Sequence, residues 1–178
     1  MKRSSLNYRR IILLAAGIWV SALFSGYGAN KPAASSAPVV ETSNGPVRGL
    51  TSDVGIHVFK GVRYGAPPVG ELRFRPPRRP VPWTAVADAA TYGNRAMQGA
   101  GMPGGEAAGL PKMSEDCLFL NVWTPGLDGK KRPVMGWLHG GGYSSGSGGD
   151  SFSEGTNLAR KGDVVLVTIN HRLNVFGF

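Results

Sequence analysis

Three short segments of the chain, residues 118–123, 134–138 and 164–169, are apolar at almost every position. A strand with one face in water alternates apolar and polar residues, whereas a continuous apolar run is typical of a strand covered on both faces. Residues 155–162 lie between the last two runs and predict a short helix, with basic residues in its last turn and Gly162 just past its end. Strand, helix and strand in succession predict an α/β fold. We expect the sheet to end at the strand formed by residues 164–169.

The upstream half predicts a hairpin and an irregular segment. Residues 39–50 alternate loosely around an Asn-Gly-Pro turn at 44–46, which predicts a β-hairpin. Residues 56–64 predict another strand, broken at Gly61. Prolines crowd residues 66–82, and proline donates no ladder hydrogen bond, so we expect an extended surface strap there. Residues 98–113 are rich in Gly, Ala and Met without a clear period, and predict a loop.

The apolar run at 134–138 is followed directly by His139, Gly140, Gly141 and Gly142. Glycine has no Cβ, so a ligand can approach its backbone N–H group closely. Consecutive N–H groups that face one side can bind the oxyanion formed during acyl transfer. A phosphate-binding loop would need Lys followed by Ser or Thr after the last glycine, and the dinucleotide fingerprint lacks its third glycine here. On these residues alone, an oxyanion site and a plain glycine turn both remain open.

The first 29 residues predict a secretory signal peptide. Basic residues come first, residues 11–24 are apolar, and small residues follow where cleavage is expected. The apolar stretch is shorter than the roughly 20 residues that span a bilayer, although an uncleaved anchor stays open as an alternative. Residues 30–38 predict a linker of small residues and proline. We therefore expect an exported protein, periplasmic or secreted, that meets the membrane only through its export signal.

The charge and cysteine content exclude some classes of function. The net charge is +9, and four basic residues belong to the predicted signal. Most other basic residues are interleaved with prolines or lie in a turn, so no helix or sheet face presents them together, and we expect no nucleic-acid partner. Hydrophobic residues make up 42% of the chain, a globular composition. Cys117 is the only cysteine, so no disulfide can form within the chain.

Three further segments, in the same order along the chain, resemble the type-B carboxylesterase family, which includes the cholinesterases. They are residues 59–70 with the Leu-Arg-Phe of 72–74, residues 114–125 that begin Ser-Glu-Asp-Cys, and residues 167–178. The resemblance implies an α/β-hydrolase fold, of which residues 39–178 form the incomplete N-terminal part: a β-hairpin and the first strands of the central sheet. It also implies action on small-molecule carboxylic esters, without a cofactor or a metal.

The resemblance assigns roles to a few residues. It implies that the N–H groups of Gly141 and Gly142 are oxyanion-hole donors, whereas a third donor would follow the nucleophilic serine. It also pairs Arg73 with Glu115, a structural pair that would pin the strap to the sheet. We expect His139 to order the glycine loop. The nucleophile, the acid and the base have no counterpart in residues 1–178.

Two features depart from the family pattern. Residues 96–98 contain no cysteine where many members have one, so we expect Cys117 to be a free, buried thiol. No tryptophan occurs between residues 98 and 114, so binding of a quaternary ammonium group is not implied.

Ser144 formally matches a Gly-x-Ser-x-Gly nucleophile elbow. A true elbow lies between a strand and a helix, whereas Ser144 follows the glycine run and precedes more Gly and Ser. We therefore expect Ser144 to form loop hydrogen bonds. His57 and His171 cannot be paired with a nucleophile from the sequence, and neither is predicted to be a base.

Two functions follow. In the first, the chain is part of a serine esterase and supplies the oxyanion hole, so the chain alone is inactive. In the second, it is part of a non-catalytic, cholinesterase-like adhesion or binding domain. An intact Gly141-Gly142 pair favours the enzyme, because a binding module has no use for such donors.

Overall fold

The computed structural model describes residues 37–99 and 111–177, and within these ranges it has two β-sheets and one α-helix. Strands β3, β4, β6, β8 and β7 form the larger sheet in that order, while β1, β2 and β5 form the smaller one. Short 3₁₀ turns cover Gly70–Leu72, Ser151–Ser153 and Asn174–Phe176. The elements are β1 (Val39–Thr42), β2 (Gly45–Arg48), β3 (Leu50–Thr51), β4 (His57–Arg63), β5 (Ala87–Asp88), β6 (Phe119–Thr124), β7 (Val134–Leu138), α1 (Thr156–Gly162) and β8 (Val165–Ile169).

The predicted hairpin is confirmed. Strands β1 and β2 pair antiparallel, with Val40 opposite Val47. The predicted break in β4 is confirmed as well, because the pairing of β4 with β6 shifts register between Phe59 and Val62. Gly61 lies in this bulge with a φ of +67°, and a Cβ there would lie 2.6 Å from the carbonyl oxygen of Thr91. Both constraints require glycine at this position.

One face of the larger sheet carries the main apolar cluster. Trp123 on β6 is fully buried and packs with Val58, Leu166 and Ala159 of α1. The helix approaches closely because Gly155 precedes it, where a Cβ would lie 2.6 Å from a methyl carbon of Leu166. The indole N–H of Trp123 donates to Glu154 Oε1 at 3.0 Å, so the buried ring keeps a polar partner.

The predicted position of the sheet edge was wrong. Strand β8 lies between β6 and β7, pairing antiparallel with β6 and parallel with β7. The edge of the sheet as described is therefore β7, and all five of its residues are exposed, with Leu138 71% exposed. The expectation of cover on both faces also fails for β7 within the described ranges. The sequence shows only the order of the strands along the chain, in which β8 comes last. In the sheet, hydrogen bonding places β8 between β6 and β7, so that β7 lies at the edge.

The proline-rich segment is an extended strap, as predicted. Residues 66–82 contain no strand and only the 3₁₀ turn at Gly70–Leu72. Phe74 has a φ of +60° and its ring stacks on Phe176 with centroids 6.0 Å apart. The predicted helix is confirmed, except that Gly162 is its last residue and Asp163 takes the left-handed position after it.

Several predictions fall on undescribed residues. The predicted signal peptide and residues 30–36 of the linker lie outside the described residues, as does most of the predicted loop at 98–113. In the part of the chain that is described, no helix has the length and apolarity needed to cross a membrane.

Candidate active site at the ends of two parallel strands

The glycine run and a second loop meet at one edge of the larger sheet. Strands β7 and β8 are parallel neighbours, and Leu138 at the end of β7 is opposite Ile169 at the end of β8. The residues that follow the two strands therefore emerge side by side. His139 and the three glycines follow β7, while residues 170–174 follow β8. In α/β sheets, ligands bind in the crevice outside the carboxyl ends of the strands.

The backbone of the glycine run adopts conformations that suit glycine. Gly141 has a φ of +112°, and a Cβ there would lie 2.1 Å from the carbonyl oxygen of Ser145. Gly142 has a φ of +60°, and no heavy atom lies within 4 Å of where its Cβ would be. Gly141 is thus fixed by a close approach of the backbone, whereas Gly142 borders open space.

The N–H groups of these two glycines differ from the carbonyl of Gly141 in their hydrogen bonding. The carbonyl of Gly141 points into the turn, where it accepts hydrogen bonds from the N–H groups of Ser144 and Ser145 at 3.0 and 3.2 Å. Within residues 37–99 and 111–177, the N–H groups of Gly141 and Gly142 donate to no acceptor. Both residues are exposed. An open cavity of about 450 Å³ lies here, lined by Leu138, His139, Gly140, Gly142, Tyr143 and His171.

Ser144 is held within the loop. Its Oγ donates to the carbonyl oxygen of Gly141 at 2.9 Å, and its own carbonyl accepts from the side-chain amide of Asn174 at 3.1 Å. The serine follows a turn and not a strand, so the local structure lacks the strand-to-helix context of a nucleophile elbow.

His139 and His171 form a stacked pair that sequence reasoning did not predict. Their ring centroids are 4.3 Å apart and the rings are inclined by 13°. His139 is 7% exposed, and its Nδ1 lies 2.9 Å from the carbonyl oxygen of Gly140. Burial lowers the pKa of His171, and the nearby His139 lowers it further. His57 is elsewhere, on β4, where its Nδ1 contacts Thr51 Oγ1 at 3.0 Å.

Two side-chain amides hold the segment after the glycine run, and neither was predicted. Gln98 makes a two-point contact with Gly146, accepting from its N–H at 2.9 Å and donating to its carbonyl at 3.0 Å. Asn170 is 4% exposed, and its Oδ1 accepts from the N–H of Gly148 at 2.7 Å and from Ser147 Oγ at 3.2 Å. A buried amide can satisfy a backbone donor and a backbone acceptor at once.

Asn174 holds the other side of the same loop. Its backbone N–H donates to the carbonyl oxygen of Tyr143 at 2.9 Å, and its side chain reaches Ser144. The available sequence signal was a pair of asparagines, Asn170 and Asn174, just after an apolar strand. Asparagine is common in turns and loops, so this signal alone does not identify a loop anchor.

Arg73 and Glu115 lie together, away from the glycine run. The Nε and Nη2 atoms of Arg73 donate to the two carboxylate oxygens of Glu115 at 2.6 and 2.5 Å. This hydrogen bonding raises the pKa of Arg73. The pair lines a small cavity that also includes Cys117 and Phe176. A bidentate pair of this kind joins the strap to the segment before β6.

Two other features complete this region. Cys117 is a free, buried thiol, as predicted, and burial raises its pKa to about 11, with a further contribution from the charge of Asp116. Arg63 makes a second bidentate pair, with Asp116, at 2.6 and 2.9 Å, which was not predicted. No group of three or more His, Cys, Asp or Glu side chains in the described segments could hold a metal ion.

Comparison with known proteins shows that the chain is similar to carboxylesterases over most of its length. The model of the carboxylesterase family matches residues 36–178. The para-nitrobenzyl esterase of Bacillus subtilis is 42% identical over 140 residues, which cover 79% of this chain and 28% of that protein. The phenmedipham hydrolase of Pseudarthrobacter oxydans is 46% identical over 145 residues, with 79% and 29% covered. This chain therefore spans less than a third of the length of these relatives.

Solved structures of carboxylesterases are also similar to this chain. A crystal structure of a carboxylesterase from Geobacillus stearothermophilus superposes with a TM-score of 0.70 at 47% identity, covering 79% of this chain and 27% of that one. A thermophilic para-nitrobenzyl esterase gives a TM-score of 0.75 at 41% identity, covering 80% and 29%. The expected α/β-hydrolase fold, present here in part, is confirmed.

Proposed function

Because the chain belongs to the carboxylesterase family, we propose that it is part of a serine esterase that hydrolyses small-molecule carboxylic esters. In this reaction a serine attacks the ester carbonyl, with a histidine as base and an acid that orients the histidine. The carbonyl oxygen becomes negatively charged in the tetrahedral intermediate, and it needs hydrogen-bond donors that are already in position.

The N–H groups of Gly141 and Gly142 supply two of these donors. One observation carries this assignment: both groups are exposed and have no acceptor among the described residues, at the carboxyl end of β7. Because neither N–H group is committed to an acceptor among the described residues, both can donate to a ligand oxygen that enters the cavity beside them. The surrounding amide contacts hold the loop in this shape before substrate binds.

The nucleophile, base and acid lie outside residues 37–177 in this proposal. Ser144 is the serine that matches the elbow pattern in the sequence, and its Oγ donates to the carbonyl oxygen of Gly141. His139 and His171 face one another in a stack, and the stack by itself is not a nucleophile–base pair. The 178-residue chain alone therefore hydrolyses no ester, whereas the longer protein that contains it does.

The first test is hydrolysis of p-nitrophenyl butyrate by the purified chain and by the longer reading frame that contains it. We expect activity only from the longer protein. Hydrolysis by the chain itself that is lost in Ser144→Ala would contradict the assignment of the nucleophile. A longer protein without any esterase activity would favour the non-catalytic binding domain.

The second test addresses the oxyanion donors. Gly141→Ala places a methyl group 2.1 Å from the carbonyl oxygen of Ser145 and displaces the peptide. Loss of one donor lowers kcat about 10²–10³-fold. Gly55→Ala is the matched control, since Gly55 also has a positive φ, +81°, but lies in the turn before β4 with nothing within 4 Å. Equal kcat values for the two variants would refute the role of Gly141.

The proposal also includes export. Residues 1–29 act as the signal peptide, residues 30–38 as the linker, and residues 39–178 as the start of the esterase domain. Mass spectrometry of protein recovered from the medium or periplasm should give a mature N-terminus close to residue 30. An intact N-terminus on protein that stays in the cytoplasm would contradict this.

A further inference from the structure

The stacked histidines couple the two loops at the carboxyl ends of β7 and β8. His139 is the first residue after β7, and His171 is the second residue after β8. The parallel pairing of these strands brings the rings to a centroid distance of 4.3 Å with a 13° inclination. Ring stacking is therefore a direct contact between the glycine run and the loop that follows β8.

His139 is confined from the side of Gly146. A Cβ on Gly146 would lie 2.4 Å from His139 Nδ1 and 2.6 Å from the carbonyl oxygen of Gly140. The backbone of Gly146 therefore packs closely against the imidazole of His139 and the carbonyl of Gly140. His171 covers a face of the same ring. The ring of His139 is thus held between the backbone of Gly146 and the ring of His171, and it is 7% exposed.

The position of His139 bears directly on the direction of the Gly141 N–H group. His139 Nδ1 lies 2.9 Å from the carbonyl oxygen of Gly140. This carbonyl and the N–H of Gly141 belong to the same planar, trans peptide unit, in which C=O and N–H point in opposite directions. A contact that orients the Gly140 carbonyl therefore orients the Gly141 N–H as well.

We propose that His171 is a positioning residue whose ring, stacked on His139, holds the Gly140–Gly141 peptide plane, and that protonation of His171 at acid pH weakens the stack and releases this plane. This role rests on the proposed ester hydrolysis, because it gives the Gly141 N–H its use as an oxyanion donor. Two neutral rings stack favourably, whereas a proton on His171 places a charge in a partly buried site against the His139 ring, 4.3 Å away, and burial disfavours that charge.

Other titratable groups of the described residues lie near the pair besides the rings themselves. Tyr64, just after β4, donates its hydroxyl to the carbonyl oxygen of Asn170, the residue before His171, at 2.6 Å. Tyr143 lines the same cavity as the two rings. Arg172, the next residue along the chain, donates Nη1 to the carbonyl oxygen of Arg75 at 2.9 Å, on the strap. Burial and the nearby His139 both lower the pKa of His171, so the His171 ring is neutral at neutral pH and gains its proton as the pH falls.

The test follows both ends of this contact by NMR in the full 178-residue chain, labelled with ¹⁵N-glycine and ring-¹³C histidine, between pH 7.5 and 4.5. We expect the Gly141 amide signal to shift with the same midpoint as the His171 ring. A Gly141 signal that stays constant over this range overturns the coupling without any variant. This readout would not respond to a merely structural role of His171.

His171→Phe keeps an aromatic ring that can stack but takes up no proton. We expect this variant to lose the component of the Gly141 titration that matches His171. His57→Gln is the matched control, because His57 contacts Thr51 on β3 and should leave the Gly141 titration unchanged. A Gly141 midpoint that persists in His171→Phe overturns the proposal.

Kinetics of the longer protein separate this inference from the proposed function. If it hydrolyses p-nitrophenyl butyrate, the acid limb of log kcat against pH should be less steep in His171→Phe than in the unsubstituted protein, because one ionisation is removed. Identical acid limbs overturn the positioning role while ester hydrolysis stands. If the longer protein hydrolyses no ester but the Gly141 and His171 midpoints still coincide, the coupling between His171 and Gly141 is upheld and the proposed ester hydrolysis is refuted.

Discussion

Truncation of Asn170 tests how the segment after the glycine run is held. In Asn170→Ala, Gly148 loses the acceptor of its buried N–H group at 2.7 Å, and the carbonyl of Asn94 loses a donor at 2.9 Å. Ser147 Oγ also loses its contact with Asn170 Oδ1 at 3.2 Å. Leaving a buried donor unsatisfied costs about 1–3 kcal/mol, and each further hydrogen bond contributes about 1 kcal/mol. Asn94 is half-buried, so water can replace part of its loss.

We therefore expect the free energy of unfolding to fall by about 2–4 kcal/mol in Asn170→Ala. Urea unfolding followed by tryptophan fluorescence measures this change, since Trp123 is fully buried in the main cluster. With an m-value of about 2 kcal/mol/M, the midpoint should fall by about 1–2 M.

Asn157→Ala is the matched control for this measurement. Asn157 lies exposed on α1, where replacing asparagine with alanine slightly favours the helix. Its midpoint should stay at or slightly above that of the unsubstituted chain. Equal midpoints for the two variants would refute the reasoning, because they would show that the Asn170 contacts contribute no net stability.

Four further measurements check other features of the structure. Cys117, with a pKa of about 11, should react with Ellman's reagent at pH 8 far more slowly in the folded chain than in 6 M urea, since only about one thousandth of the thiol is ionised; similar rates would show that the thiol is not buried. Gly155→Ala should lower the free energy of unfolding by about 1–3 kcal/mol, because its Cβ would lie 2.6 Å from Leu166. In Gly99→Ala the new Cβ has nothing within 4 Å, so its urea midpoint should stay unchanged, and equal midpoints for the two variants would contradict the close packing. Leu138→Lys, on the exposed edge strand, should reduce self-association of the chain in sedimentation velocity; unchanged association would show that β7 is not the contact. The pKa of His171 is lowered on folding, so the unfolded chain binds this proton more readily and stability should decline as the pH falls below about 6.5; this decline should be smaller in His171→Phe, and equal declines would contradict it.

Local patterns in the sequence were sufficient for most of the elements. The hairpin follows from turn residues between two alternating segments, and the break in β4 follows from one glycine inside an apolar strand. The proline-rich strap follows from the missing N–H groups of proline. Each of these depends on the covalent chemistry of a few neighbouring residues, and such constraints hold wherever the segment lies in the fold.

The candidate site was predicted only in part. The glycine run was found because three successive glycines after an apolar strand are unusual and carry a chemical meaning. The roles of Gln98, Asn170 and His171 were missed, because their partners lie far away along the chain: Gln98 contacts Gly146, 48 residues later. A single sequence holds no signal for such pairs, since the pairing depends on how the strands are ordered.

The sequence by itself determined which segments become strands and where the backbone must turn, because these properties depend on local sterics and hydrogen-bonding groups. Only the tertiary structure decided that β8 pairs between β6 and β7. That pairing, made by hydrogen bonds between residues distant in the chain, places β7 at the edge and brings the ring of His171 onto His139. The conformation of the glycine run therefore depends on contacts that form only when the whole sheet has assembled.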